Sequence, residues 1–409
     1  LLITSWIMVV GAIVVAAITL SPRLLRNRSW RATVTPLASI IGSGFLVAAP
    51  VLGQSAGRFA LFAMLGLCAI AWLFGSAIRH NIRVAEPLIE PDGSPLWLER
   101  IDKASDLSLA VAYFISVAYY LNLFAAFALR NFGITDLASV QWLSVSVIAL
   151  IGLIGTLRGL RWLENIELPA VGLKLALIAG LILALGWAVG DMTLGGDLAL
   201  PVIDHPAGMR ELGILLGLVI MVQGFETSRY LGHAYDAALR IRTMRRAQII
   251  ATIIYGAFIA LMTPFFGAGV GDGPIEETAI IDMLRPLGWA VVPLVTITAL
   301  ASQLSAAVAD MNGAGGLVRS ASSNRVSVKW GYAATAGVAI AITLAADLFQ
   351  IIVYASKAFV LYYGLQSATA AILCFTQDRR QPVRGLVYGV GVAIALAVML
   401  LGIPAEGAG

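Results

Sequence analysis

Apolar residues along this chain run in long, nearly unbroken stretches, with polar residues gathered between them. A helix needs about 20 apolar residues to cross the hydrocarbon core of a bilayer. Twelve stretches approach that length: 2–20, 34–54, 59–79, 106–129, 139–157, 168–189, 211–233, 248–269, 288–314, 330–346, 348–375 and 385–403. Gly and Pro stand at most of the breaks between them, where helix interiors end readily. Strict alternation over about 10 residues, the mark of a transmembrane β-barrel, is absent. The pattern predicts an all-α integral membrane protein with about twelve transmembrane helices.

Composition narrows the class. Of 409 residues, 59% are hydrophobic and 12% charged, and mean hydropathy is +0.89. A soluble domain carries about 25% charged residues. No charged block of domain size occurs, which excludes a soluble enzyme, a disordered protein and a single-anchor protein with a large aqueous domain. Cys68 and Cys374 lie far apart in apolar runs, and His80, His205 and His233 form no ligand spacing. No disulfide framework, metal site or cofactor is expected. The first residue is Leu1 rather than Met, so a missing or processed N-terminus is expected.

Charge placement adds orientation. Of 27 Lys and Arg, twenty fall in one set of alternate loops and four (Arg58, Arg130, Arg210, Arg285) in the other; Lys174, Arg229 and Lys357 lie within spans. The positive-inside rule then makes the 23–33 loop cytoplasmic and puts both chain ends outside. The acidic 270–285 loop also falls outside. A multi-pass protein of the cell membrane is expected, in a bacterial inner membrane. The basic loops meet anionic lipid headgroups, and nothing points to nucleic acid.

Setting aside an extra helix at 1–22 and an accessory one at 384–403, ten spans remain. Five lie in 33–190 and five in 211–375. Because five is odd, the second set enters the membrane from the opposite side, which predicts a 5+5 inverted repeat. In such repeats the substrate site lies at mid-membrane on interrupted helices. The first helix of each half has a candidate interruption: Gly42-Ser43-Gly44 in the first, and Gly224-Phe225-Glu226 in the second. A lone Gly-x-Gly in a membrane helix commonly marks close helix packing. Two breaks at matching positions of two halves point instead to a binding site.

These motifs resemble the amino acid–polyamine–organocation (APC) transporters, which share a 5+5 repeat of the LeuT type. The resemblance covers about residues 33–400. It implies broken first and sixth core helices around a substrate held by Gly42, Ser43, Gly44, Gly224, Phe225 and Glu226. Lys174, in Glu167-Leu168-Pro169-Ala170-Val171-Gly172-Leu173-Lys174, matches a lysine whose ammonium stands where sodium sits in sodium-driven relatives. By resemblance it would contact carbonyls near Gly42 and the hydroxyl of Ser302 or Ser305, and would imply proton coupling or exchange. The second core helix departs from the family pattern, ending in Arg79-His80.

An ionisable group at mid-membrane costs about 2.5–3.5 kcal/mol on insertion scales, so it persists by facing a cavity or a partner. Lys174 is a coupling cation or a structural partner of a carboxylate. Glu226 is a coupling or gating acid or a cation ligand, or it holds freed backbone at the break. Ser302, Ser305, Ala309 and Asn312 share one helical face, flanked by Asp310, which lines a path or pairs with Arg319 or Arg229. Lys357 is expected to pair with Glu226 or Asp310. Tyr119, with Tyr113, Tyr120 and Asn122, walls a pocket or anchors an interface.

The expected function is secondary active transport of an amino acid or related small amine by alternating access, with proton coupling or exchange. The alternatives are an inorganic cation transporter of the same fold, potassium-like, and a non-transporting sensor or structural subunit. Separate histidines and the absence of a clustered catalytic set argue against an enzyme.

Overall fold

The computed structural model describes residues 2–42, 44–89, 95–198, 200, 208–232, 234–268, 276–322, 324–377 and 381–405, with backbone alone for 161–167. Ser43, His205, His233 and Asp272 of the acidic 270–285 loop therefore lie outside the described residues. The described chain is built of helices, with no strand among them: α1 (Leu2–Thr19), α2 (Pro22–Leu25), α3 (Arg28–Ile40), α4 (Gly44–Ala56), α5 (Ala60–Val84), α6 (Glu86–Ile89), α7 (Leu96–Arg130) and α8 (Leu137–Arg158). There follow α9 (Arg161–Gly195), α10 (Met209–Gly217), α11 (Ala237–Met262), α12 (Ile280–Leu284), α13 (Val291–Ala321), α14 (Val328–Ala345), α15 (Leu348–Thr376) and α16 (Pro382–Leu401).

Among the described residues, ten helical segments are long and apolar enough to cross a membrane. The expected spans 34–54 and 211–233 are the two that are interrupted. The first divides into α3 and α4. The second divides into α10 and two 3-10 segments, Val219–Val222 and Phe225–Leu231.

Short polar side chains start several helices. Asn27, Asp136, Asp236 and Asp347 each accept a hydrogen bond from a backbone N–H in the first turn of α3, α8, α11 and α15, satisfying donors that have no intrahelical partner. At Asp136 and Asp236 these bonds hold the carboxyl below its ordinary range.

The helices pack in two groups. In one, α11 lies against both α3 and α5; in the other, α7 packs on α13 and α8, and α14 on α8 and α13. α15 contacts both groups through α5 and α7, while α1 lies along α9. The outer faces carry bare apolar side chains such as Trp6, Trp142, Leu153 and Leu400, as expected of surfaces that meet lipid. Contacts between loops respect the charge segregation. Glu86 and Asp102 meet Arg229 and Arg240, all from the arginine-rich set of loops or next to it, whereas Arg130 meets Glu276 and Asp282 of the other set.

Candidate functional site

The two interruptions lie back to back. α3 ends at Ile40, Ile41 and Gly42 turn, and α4 starts at Gly44. A Cβ on Gly44 would sit 2.5 Å from Met221 Cα, so only glycine allows this approach of two backbones. Gly224 has φ +113°, a conformation side chains disfavour, and a Cβ there would lie 2.6 Å from Ser39 Cβ. Each break thus needs a glycine because the other break is its neighbour.

Interrupting a helix in an apolar setting frees backbone groups that must find new partners. At the first break, Lys174 Nζ on α9 donates to Ala38 O at 2.8 Å, and Ser302 Oγ on α13 donates to Gly42 O at 2.9 Å. Lys174 is 4% exposed. At the second break, Glu226 Oε2 accepts from Gly224 N at 2.8 Å and from Tyr363 OH at 2.7 Å, and Thr227 Oγ1 donates to Gly224 O at 2.8 Å. Ser356 Oγ donates to Gly217 O at 2.6 Å and accepts from Ile220 N at 3.0 Å. Tyr255 joins the two: its hydroxyl donates to Met221 O at 2.6 Å, with Ile40 O as a second acceptor at 3.0 Å.

A cavity of about 520 Å³ lies beside this junction. Ala38 and Ser39 before the first break, and Thr227 and Tyr230 after the second, form one wall. Asp106 and Tyr113 of α7, and Ser305, Asp310 and Asn312 of α13, form the other. Two carboxylates, Asp106 and Asp310, line it, and among the described residues no Lys or Arg does. Asp310 accepts a hydrogen bond from Ser116 Oγ, and Asp106 accepts one from Tyr230 OH at 2.8 Å. Glu226 Oε1, Gln223 Oε1 and Gln303 Oε1 are buried acceptors that no donor among the described residues reaches.

At the arginine-rich end the cavity adjoins an ion-pair network. Arg229 pairs with Asp102, Arg240 pairs with Glu86 at 2.6 Å, and Arg240 also donates to Arg229 O at 2.6 Å. This network ties the end of the second interrupted segment to α6, α7 and α11.

The chain is matched over residues 22–402 by the family model of an APC superfamily transporter. A relative from Aquifex aeolicus (strain VF5), itself described as an uncharacterized protein, is 38% identical over 408 residues, 98% of each chain. The chain belongs to the APC superfamily. This APC transporter brings together Gly42, Gly44, Gly224, Glu226, Lys174 and Ser302 around one junction, while Ser305 and Asp310 face the adjoining cavity. Phe225 is buried against Tyr363, their ring centroids 4.9 Å apart, and Tyr119 is buried against Tyr120.

Two expected pairings differ. Lys357 is half-buried on α15 and forms no ion pair with Glu226 or Asp310. Those acids take hydroxyl partners instead, Tyr363 on Glu226 Oε2 and Ser116 on Asp310, each a neutral donor to one carboxylate oxygen. Nor does Asp310 pair with Arg229 or Arg319: Arg229 holds Asp102, and Arg319 holds Asn324 Oδ1. Sequence reasoning missed Tyr255 and the Glu86–Asp102–Arg229–Arg240 network. A single tyrosine in the apolar run Ile253-Ile254-Tyr255-Gly256 was the available signal for the first. The network had none, because its paired members are 127 residues apart (Arg229 and Asp102) and 154 residues apart (Arg240 and Glu86).

Proposed function

We propose that this APC transporter moves a small amine or amino acid by alternating access, with proton coupling or exchange. The observation that carries this reading is the cavity beside two back-to-back helix interruptions, lined by Asp106 and Asp310 and, among the described residues, by no Lys or Arg. Two carboxylates in a low-dielectric wall attract an ammonium group, and exposed backbone at interrupted helices supplies polar groups to the rest of a substrate. The substrate is held between the Gly42–Gly44 and Gly224 breaks and the cavity. α3–α5 and the second interrupted segment with α11 rock against α7, α8, α13 and α14, in keeping with the two packing groups. Two five-helix repeats, at 33–190 and 211–375, make up the core. The arginine-rich end faces the cytoplasm, so the cavity beside it is the inner vestibule of an inward-facing state.

Lys174 fills the position of a coupling cation, tying α9 to the last turn of α3, and Glu226 that of a coupling or gating acid. Protons are therefore the expected co-substrate. A second reading, transport of an inorganic monovalent cation, draws on the three buried acceptor oxygens at Glu226, Gln223 and Gln303 that no donor among the described residues reaches.

The test is counterflow in proteoliposomes with labelled amino acids, di- and polyamines and rubidium at two internal pH values. An amine or amino acid signal that Asp310→Asn and Gly42→Leu abolish supports the first reading. A rubidium signal alone selects the second. Retained transport with unchanged pH dependence in Lys174→Ala would overturn the coupling role.

A further inference from the structure

The arginines at the arginine-rich end are answered in two different ways. Arg229 and Arg240 are held by Asp102 and Glu86. A second group, brought together where the start of α3 packs on the start of α11, has no such answer. Among the described residues, no carboxylate lies within ion-pair distance of Arg23, Arg26, Arg31, Arg242, Arg245 or Arg246. All six are exposed. Arg28, beside them, donates to Ala234 O at 3.3 Å and stands over the Tyr235 ring. The nearby acid, Asp236, is engaged by Leu239 N at the start of α11.

Arg246 of this group lines a groove of about 360 Å³ between α2–α3 and α11, and the other five stand on the same elements or at their ends. Leu24, Trp30, Ile249 and Ile250 give it an apolar floor, and Arg246 stands on its edge, where Nη1 donates to Ser29 Oγ at 2.9 Å. One helical turn on, Ile253 is 64% exposed, and with Ile249 at 44% it carries the apolar surface along the bare side of α11. The groove thus joins an unanswered cationic rim to a lipid-facing helix side. Trp30, half-buried in it, has the amphipathic character of a residue at a membrane–water interface.

We propose that this groove is a binding site for an anionic phospholipid. The phosphate lies against Arg246 and the arginines of 23–31, and an acyl chain runs along Ile249 and Ile253. Charge complementarity selects the occupant. A zwitterionic lipid brings a cation to a groove that holds Arg246, on elements carrying five more arginines that no carboxylate among the described residues answers, whereas an anionic headgroup neutralises them. The lipid would bridge two elements that matter to the junction. α3 runs directly into the first break, and α11 carries Tyr255. Occupancy would therefore hold the starts of both helices together at the level of the headgroups.

The test uses the full chain in phosphatidylcholine nanodiscs, titrated with phosphatidylglycerol brominated on its acyl chains. Bromine quenches nearby tryptophan, and the Trp30 component is isolated by difference from Trp30→Phe. The expected result is saturable quenching of Trp30 by the brominated phosphatidylglycerol, with weaker, non-saturating quenching by brominated phosphatidylcholine. Each guanidinium near an anionic surface contributes enough to weaken binding about fivefold on removal. Arg246→Gln and Arg245→Gln should each shift the midpoint by about that factor. Arg325→Gln, in the basic loop between α13 and α14, should leave it unchanged. Equal quenching by the two lipids would overturn the proposal, as would midpoints that ignore both Arg245 and Arg246. So would displacement of the brominated lipid by glycerol phosphate at similar concentration, since that would identify a free-phosphate site. Among the described residues no hydrogen bond or ion pair involves the exposed Arg245 side chain, so its variant keeps the test decisive if Arg246→Gln fails to fold.

Discussion

The two helix interruptions touch each other, yet their freed backbone groups are satisfied by opposite means. The first borrows its partners: Lys174 comes from α9 and Ser302 from α13, 136 and 260 residues away. The second supplies part of its own, through Glu226 and Thr227 within three residues of Gly224, and takes the rest from Ser356 on α15 and Tyr255 on α11, while Tyr363 on α15 steadies the Glu226 carboxylate. One break depends on how the whole molecule is assembled. The other is partly written into its own turn. A matched pair of interruptions therefore need not share a chemistry, and a change at one should not have the effect of its counterpart at the other.

The largest expected effect tests what the two breaks have in common. Gly224→Ala forces a positive φ on a side chain and drives its Cβ into Ser39, which should destabilise the protein by about 3 kcal/mol, read as a fall in the thermal unfolding midpoint. A stable Gly224→Ala protein would show that the breaks are not in contact as described. Next comes the borrowed cation. Lys174→Met leaves Ala38 O without its ammonium donor in a buried place, a loss of about 2 kcal/mol, and under the proposed coupling it should also flatten the pH dependence of counterflow.

Ser302→Ala removes one neutral hydrogen bond from the first break and should cost about 1 kcal/mol. Double-mutant cycles then sharpen the contrast. Ser302→Ala and Lys174→Met serve the same break and should be coupled by about 0.5 kcal/mol or more. Ser302→Ala and Ser356→Ala serve different breaks and should add. Coupling of equal size in both cycles would mean that the two interruptions behave as one unit.

The smallest effect lies away from both breaks. Asp236 is held below the ordinary carboxylate range by the backbone N–H of Leu239. Its contribution is present above the unfolded carboxylate pKa and is lost as pH falls through the lower folded value. The wild-type midpoint should therefore fall on acidification slightly more than that of Asp236→Asn. An identical acid response in the two proteins would remove the cap from the account.

How much of this was legible follows the same division. The apolar runs announced the long helices, because a bilayer imposes a length that a sequence displays openly. Gly224 with Glu226 was visible as a break because glycine and carboxylate are conspicuous inside an apolar helix. Gly42 and Gly44 were visible for the same reason. Their partners were not. Lys174 was found as an intramembrane charge and through a family resemblance, but its target, Ala38 O, is a carbonyl that no side chain advertises. Ser302 and Ser305 share a helical face in sequence, yet one meets backbone and the other a cavity, a distinction set by the packing of α13. Lys357 shows the opposite error. A buried-looking lysine invited an acidic partner, and the acids had instead taken hydroxyl donors from Tyr363 and Ser116.

Tyr255 has a further consequence. Its hydroxyl has one proton and two carbonyl claimants, Met221 O at 2.6 Å and Ile40 O at 3.0 Å. One phenol thus arbitrates between two stretches of chain 181 residues apart in number, and the claimant that loses is left with a weaker bond. That imbalance has a vibrational signature. Isotope-edited infrared spectra with ¹³C at Ile40 or at Met221 would give two amide frequencies, the lower one marking the carbonyl that holds the proton. Any change in how the two interruptions face each other would be read as an exchange of those frequencies.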